Sequence, residues 1–344
     1  MKRHIITACL LAASSLHAQT PPATAQAIQD WQKLGYGMFI HFGMSTFIAN
    51  EYGTGKEAST TYAPSHLDVD QWIRVARDAG MKYAVLTAKH VAGHCLWDSK
   101  VRFRGKEFDH DVATSGNRTD VIAEYVKACR KYDVMPGLYW CFMDKRNNSR
   151  PPARQDYGTA RAKLPDDFFQ LAKDQTAELI RLYPDVAYYW LDIPAYSSPA
   201  QRRELYDHIK RLRPGTIVLF NHGAGKPKGP MTIANSQVSW PSDILNTERW
   251  PLKPGWFTAK QSYQNKTYQL GYEHCDTICK KWFWNEGDQP RPVEELLNIY
   301  RDVRAGGGNL LLNVPPDRTG RIPQYHVKAL LDLKKAIDAP AINK

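Results

Sequence analysis

This sequence has no apolar run long enough to cross a bilayer. Its first twenty residues read MKRHIITACLLAASSLHAQT, with Lys2 and Arg3 before a short apolar core and small residues leading to Ala18. The pattern predicts a secretory signal peptide over residues 1–18. The expected mature chain is exported, periplasmic or secreted, and runs from 19 to 344 as one domain with no membrane partner. Cysteine is scarce, six in 344 residues. Cys9 precedes most of the apolar core, which argues against lipidation. Cys95, Cys129, Cys141, Cys275 and Cys279 are odd in number and irregular in spacing, so buried free thiols are expected, with a Cys275–Cys279 bridge left open.

Several catalytic signatures are also missing. There is no G-x-S-x-G nucleophile elbow. No glycine-rich loop runs from a strand into a helix to hold phosphate, since RAGGGNLL runs the opposite way. No H-E-x-x-H or cysteine cluster accompanies His90 and His94, so no metal is expected. The formal charge is +11, but Lys and Arg are spread along helical stretches such as QRRELYDHIKRLRPG. That distribution points to solvated helix faces and away from nucleic acid, while leaving an anionic glycan open.

What is present is alternation. Apolar strand-like runs (YGMFIHFG, KYAVLTAKH, VMPGLYWCF, VAYYWLDI, TIVLFN, YEHCDTI, NLLLNV) are separated by amphipathic helical stretches. Residues 223–269 read as irregular. Counted as one degraded unit, that stretch brings the total to about eight β/α repeats and predicts a closed (β/α)8 TIM-like barrel.

Such barrels carry chemistry at the C-terminal ends of their strands. Those ends here hold His41, His90, Tyr139 with Trp140, Trp190 with Asp192, and Asn221 with His222, and Glu273 and His274 lie in a late strand. A carboxylate in an aromatic, histidine-lined pocket suits sugar chemistry. Asp192, ending an apolar strand, is the candidate nucleophile, because a carboxylate there needs a purpose or a partner. A second carboxylate could come from Glu248, Glu273 or, less favoured, Glu286.

These segments resemble glycoside hydrolase family 29, the retaining α-L-fucosidases, from about residue 30 to 325. GYGMFIHFG is similar to G-x-F-x-H-W/F-G, KYAVLTAKHVAGHCLWDSK to K-Y-x-x-L-T-x-K-H-H-D-G-F-x-L-W, and GLYWC to G-L-Y-Y-S. YWLDI resembles L-W-x-D-G, and GGGNLLLNVPPDRTGRIP resembles the family's closing segment. The resemblance implies a barrel, retention of configuration and no cofactor. It makes Asp192 the nucleophile. Glu248, in SDILNTERWP, becomes the first choice for acid/base. Glu273 becomes the second choice, or a support residue. His41, His90, Tyr139 and Trp190 fall on sugar-binding positions, and Glu51–Tyr52 resembles an E-W pair. Trp140 and His222 join them as strand-end candidates, with Trp97 packed nearby.

Departures from the pattern are equally specific. Val91, Ala92 and His94 replace the second His, the Asp and the Phe of K-H-H-D-G-F. NHGAG lacks the Arg of N-D-R-W-G, and Ile193 stands where the nucleophile motif has Gly. His94 or His222 could supply polar groups in their place. No C-terminal β-sandwich is expected. The implied function is removal of terminal L-fucose from glycans. A related sugar such as α-L-galactose and a catalytically silent sugar-binding barrel are the alternatives.

Overall fold

The computed structural model describes residues 22–48, 50–147 and 151–340, and the expected signal peptide lies outside them. Eight parallel strands form one sheet. They are β1 (Tyr36–Ile40), β2 (Tyr83–Lys89), β3 (Met135–Cys141), β4 (Tyr188–Asp192), β5 (Ile217–Phe220), β6 (Ile244–Glu248), β7 (Gly271–Thr277) and β8 (Asn309–Asn313). β1 pairs with both β2 and β8, so first and last strands meet and the sheet curls into a barrel. The closing seam, β5 against β6, is bridged by few bonds. The Asp243 N–H donates to the Val218 carbonyl at 2.8 Å, and the Asp243 carboxylate accepts the Val218 N–H at 2.8 Å. Ser242 Oγ accepts the Phe220 N–H at 3.1 Å.

The apolar runs form strands because they are buried on both faces. In β4, Tyr188, Trp190 and Asp192 face the barrel interior, while Tyr189 and Leu191 join the core against the helices. Helices between strands are stopped and started by their own residues. Asp120 caps Val121–Tyr132 by accepting the Ala123 N–H, and Ser198 with Gln201 makes a capping box on Pro199–Leu212.

The stretch read as irregular contains β6. The crossover before it has only the short turns Ile233–Asn235 and Gln237–Ser239. The crossover after it has a hairpin, Lys260–Tyr263 with Lys266–Gln269. The other end of the barrel is stoppered by the first helix, α1 (Pro22–Leu34). Trp31 packs edge-on against Tyr83 and Tyr188, each at 5.7 Å between ring centroids. Gly271 is required there, since a Cβ would stand 2.8 Å from the Trp31 ring. These are the first residues of β2, β4 and β7, so α1 closes the N-terminal mouth.

Candidate active site

At the opposite mouth the strand ends surround a cavity of about 270 Å³. Its wall includes Asp192 and Glu248, the last residues of β4 and β6, and Asn221 just beyond β5. Asp192 accepts three hydrogen bonds: Tyr139 Oη to Oδ2 at 2.6 Å, Asn221 Nδ2 to Oδ1 at 2.8 Å, and the Ile193 N–H to Oδ1 at 2.8 Å. Burial raises its pKa above the ordinary aspartate value, and these donors oppose the rise. The Ile193 bond depends on a left-handed turn, φ 54°. A β-branched residue holds that conformation at a cost of about 1–3 kcal/mol.

Asn221 Nδ2 also donates to Glu248 Oε2, at 3.2 Å. Its carbonyl oxygen accepts from Asn246 Nδ2 at 2.7 Å and from the Gly223 N–H at 2.9 Å, which fixes the amide's orientation. Two carboxylates therefore share one nitrogen. That arrangement keeps their nearest oxygens below the roughly 6.5–9.5 Å of inverting pairs and admits the ~5–5.5 Å of retaining pairs. Burial, then the neighbouring Asp192 charge, pushes Glu248 up to about 7. Of the two, Glu248 is therefore placed to hold a proton near neutrality.

Around them stand the expected sugar-binding side chains. His41 Nδ1 lies 2.8 Å from Asn313 Oδ1, and Asn313 Nδ2 donates to the Trp282 carbonyl at 2.7 Å. Because that Asn313 oxygen is the acceptor, His41 Nδ1 carries the hydrogen. Burial then holds the ring neutral, so Nε2 is an acceptor for a hydroxyl. His90 stacks on Tyr139 at 5.5 Å, Tyr139 stacks on Trp190 at 5.5 Å, and burial takes His90 down to about 3. Glu51, Tyr52 and His222 also line the cavity, and burial raises the Glu51 pKa.

Some expected residues stand elsewhere. Trp140 is fully buried toward the helices and donates to Gln175 at 3.0 Å, because strand alternation turns it away from Tyr139's face. Trp97 is likewise buried, with its indole on Glu178 at 2.8 Å. His94 bonds Ser115 Oγ at 2.7 Å and stacks on Tyr62, so it does not stand in for polar side chains at the Val91 and Ala92 positions. Glu286 sits on an exposed turn. Glu273 lies inside the barrel, 0% exposed, below the cavity. There it accepts from Tyr83 Oη at 2.8 Å, Tyr188 Oη at 2.9 Å and Trp190 Nε1 at 2.9 Å. This is the place of a support residue, out of reach of a leaving group. Cys275 and Cys279 are free, buried thiols. Among the described residues no group of three or more His, Cys, Asp or Glu side chains could hold a metal ion.

Sequence reading misses Asn221's bridging place, Asn246 behind it, and Trp282 and Tyr157 in the cavity wall. The Trp282 ring lies 4.9 Å from that of His41, and the Arg249 guanidinium stands 4.7 Å from the Trp282 ring centre. Trp282 and Tyr157 both come from long loops, where no periodicity marks an inward side chain.

Comparison with known proteins gives concordant matches. The family model described as alpha-L-fucosidase matches residues 50–338. Alpha-L-fucosidase 1 of Arabidopsis thaliana is 30% identical over 331 residues, covering 90% of this chain and 59% of its own. A plasma alpha-L-fucosidase of Rattus norvegicus is 24% identical, covering 85% and 59%. The chain thus spans little more than half the length of these curated relatives. Alpha-L-fucosidase isoenzyme 1 of Paenibacillus thiaminolyticus superposes with a TM-score of 0.71 at 24% identity, over 94% of this chain and 80% of that one. An alpha-L-fucosidase of Lactobacillus casei, in complex with α-L-fucose product, superposes with a TM-score of 0.68 at 23% identity, over 91% and 98%. At these identities the structural likeness is one of fold.

Proposed function

We propose, from the premise that this chain belongs to the α-L-fucosidase family, that it is a retaining exo-glycosidase removing terminal α-linked L-fucose from glycans. The observation that carries this reading is the Asn221 nitrogen shared by Asp192 and Glu248. In the first step the Asp192 carboxylate attacks the anomeric carbon, and Glu248 gives its proton to the departing glycosidic oxygen. In the second step Glu248, now ionised, takes a proton from water. That water displaces Asp192 and releases the sugar with its original configuration.

The cavity, about 270 Å³, falls below the roughly 300–1,000 Å³ of drug-sized sites. It suits one sugar ring entering end-on, hence exo cleavage. Among the described residues, three carboxylates and no Lys or Arg line it. That lining supports a neutral sugar at the cleaved bond, in preference to the anionic glycan left open by the net charge. The N-terminal segment supports action outside the cytoplasm.

The test is hydrolysis of aryl α-L-fucoside, aryl α-L-galactoside and fucosylated oligosaccharides by the purified protein, with the first-formed anomer followed by NMR. Release of α-L-fucose is expected. Inverted product rejects the mechanism, preferential galactoside cleavage reassigns the sugar, and no turnover of any substrate leaves a silent sugar-binding barrel.

A further inference from the structure

We infer that the rim of the cavity on the Tyr157 side is a built site for the neutral sugar ring of the leaving group, an inference that rests on the glycosidase reading above. The cavity grades from floor to rim. His41, Tyr139 and Trp190 are 4%, 1% and 2% exposed, whereas Tyr157 is 41% exposed while lining the same cavity. The floor carries the hydrogen-bonding groups. The rim beside Tyr157 is made of Pro194, Ala195 and Val238 and is apolar. A half-exposed aromatic ring on an apolar ledge, continuous with the pocket that holds the cleaved sugar, matches the C–H face of a second pyranose. The side chains that line it there, Tyr157, Pro194, Ala195 and Val238, carry no charge.

The rim is also held rigid by a costly device. Arg202 is 0% exposed, and no carboxylate pairs with it among the described residues. Its guanidinium instead donates to backbone carbonyls of three separate loops. These are Gly158 (3.3 Å) after β3, Pro194 (3.2 Å) and Ser197 after β4, and Gln237 (3.1 Å) and Trp240 (3.1 Å) after β5. The Gly158 N–H donates to the Ala195 carbonyl at 2.9 Å. A Cβ on Gly158 would meet Val238 at 2.9 Å, and its φ of 74° also requires glycine. Tyr157 itself packs on Tyr196 at 5.5 Å. Burying a cation among carbonyls is expensive. The fold spends that energy on fixing the three loops that present Tyr157, Pro194, Ala195 and Val238 together, and a pre-formed ledge binds with less ordering cost.

The experiment compares two substrates within each variant. α-L-Fucosyl fluoride has no leaving-group sugar and reads the floor. A fucosylated oligosaccharide reads floor and rim together. Tyr157→Ala should lower the ratio of oligosaccharide to fluoride kcat/KM by about 3- to 10-fold, and Tyr157→Phe should keep it. The ratio is internal to each protein sample, so partial misfolding does not imitate the effect. An unchanged ratio in Tyr157→Ala, with fluoride still released, overturns the rim site alone. No fluoride release by the unmodified protein overturns the functional reading and the rim site with it.

Discussion

Asp192 and Glu248 accept hydrogen bonds from the same nitrogen, the Asn221 amide, at 2.8 and 3.2 Å. Each donor bond favours the ionised form of its carboxylate, so Asn221 lowers both pKa values. Replacing it with Ala should raise both. The acidic limb of kcat/KM requires ionised Asp192 and the alkaline limb requires protonated Glu248, so both limbs should move to higher pH. Bonds to charged groups are each worth ~1.5–3 kcal/mol, so a fall in kcat/KM of about 10- to 150-fold is expected. A pH–rate profile that keeps its position while activity falls would show that Asn221 only shapes the pocket.

Asp192→Asn should abolish hydrolysis, with kcat down about 10³-fold or more, because no covalent glycosyl-enzyme can form. Added azide should restore turnover of an activated substrate and give the inverted glycosyl azide. Near-normal activity without azide removes Asp192 from the nucleophile's role.

Glu248→Gln should slow substrates with poor leaving groups by ~10²–10⁴-fold and spare those with acidic phenols. Glu248 holds its proton up to about 7. Activity of the unmodified protein should therefore decline as pH rises through that value, and the decline should be absent from glycosylation by Glu248→Gln on an acidic phenol. Glu51 lines the same cavity. If Glu51→Gln shows this leaving-group pattern and Glu248→Gln does not, the acid is Glu51.

Glu273→Gln should destabilise the barrel by about 1–3 kcal/mol, since an amide NH2, with two hydrogens where a protonated carboxyl has one, would replace the Oε2 beside the Tyr83 hydroxyl while the remaining oxygen serves Tyr188 and Trp190. Burial raises Glu273 to about 7. A carboxyl raised in the fold favours folding most when protonated in both states. Its contribution is lost as pH climbs from the ordinary glutamate range through about 7. The destabilisation by Gln should therefore shrink between about pH 5 and about pH 8, as read by urea unfolding. A difference that grows with pH would show that the three donors outweigh burial.

The strands that the sequence displays well are those with apolar residues on both faces, such as Tyr83–Lys89 and Asn309–Asn313. Ile244–Glu248 is hidden because its inward and terminal positions are Asn246 and Glu248, polar for the sake of the site, and because its crossovers lack α-helices. Adjacency to Tyr139 suggests the pocket for Trp140, but the period of two places such neighbours on opposite faces. Asn221 reads in sequence as a turn residue at a strand end. Only the approach of β4 and β6 from 29 and 27 residues away makes it a bridge. Trp282 and Tyr157 lie in loops, and loop side chains acquire direction only from tertiary contacts such as the carbonyls gathered by Arg202.

The stopper helix α1 has a consequence for the order of events as the chain is made. Trp31 is among the earliest described residues to be synthesised, yet its seat is built from Tyr83, Tyr188 and Gly271. Gln32 reaches further still, to the Tyr272 backbone and the Asn309 side chain. For most of synthesis, α1 therefore has a hydrophobic face and nowhere to put it. The bottom of the barrel cannot be sealed until Asn309 has been made, so these long-range contacts, among the most sequence-distant of the described residues, close late. The helix α1 is thus made early and seated late, and a nascent chain halted before β8 would expose the Trp31 face to any partner able to shield it.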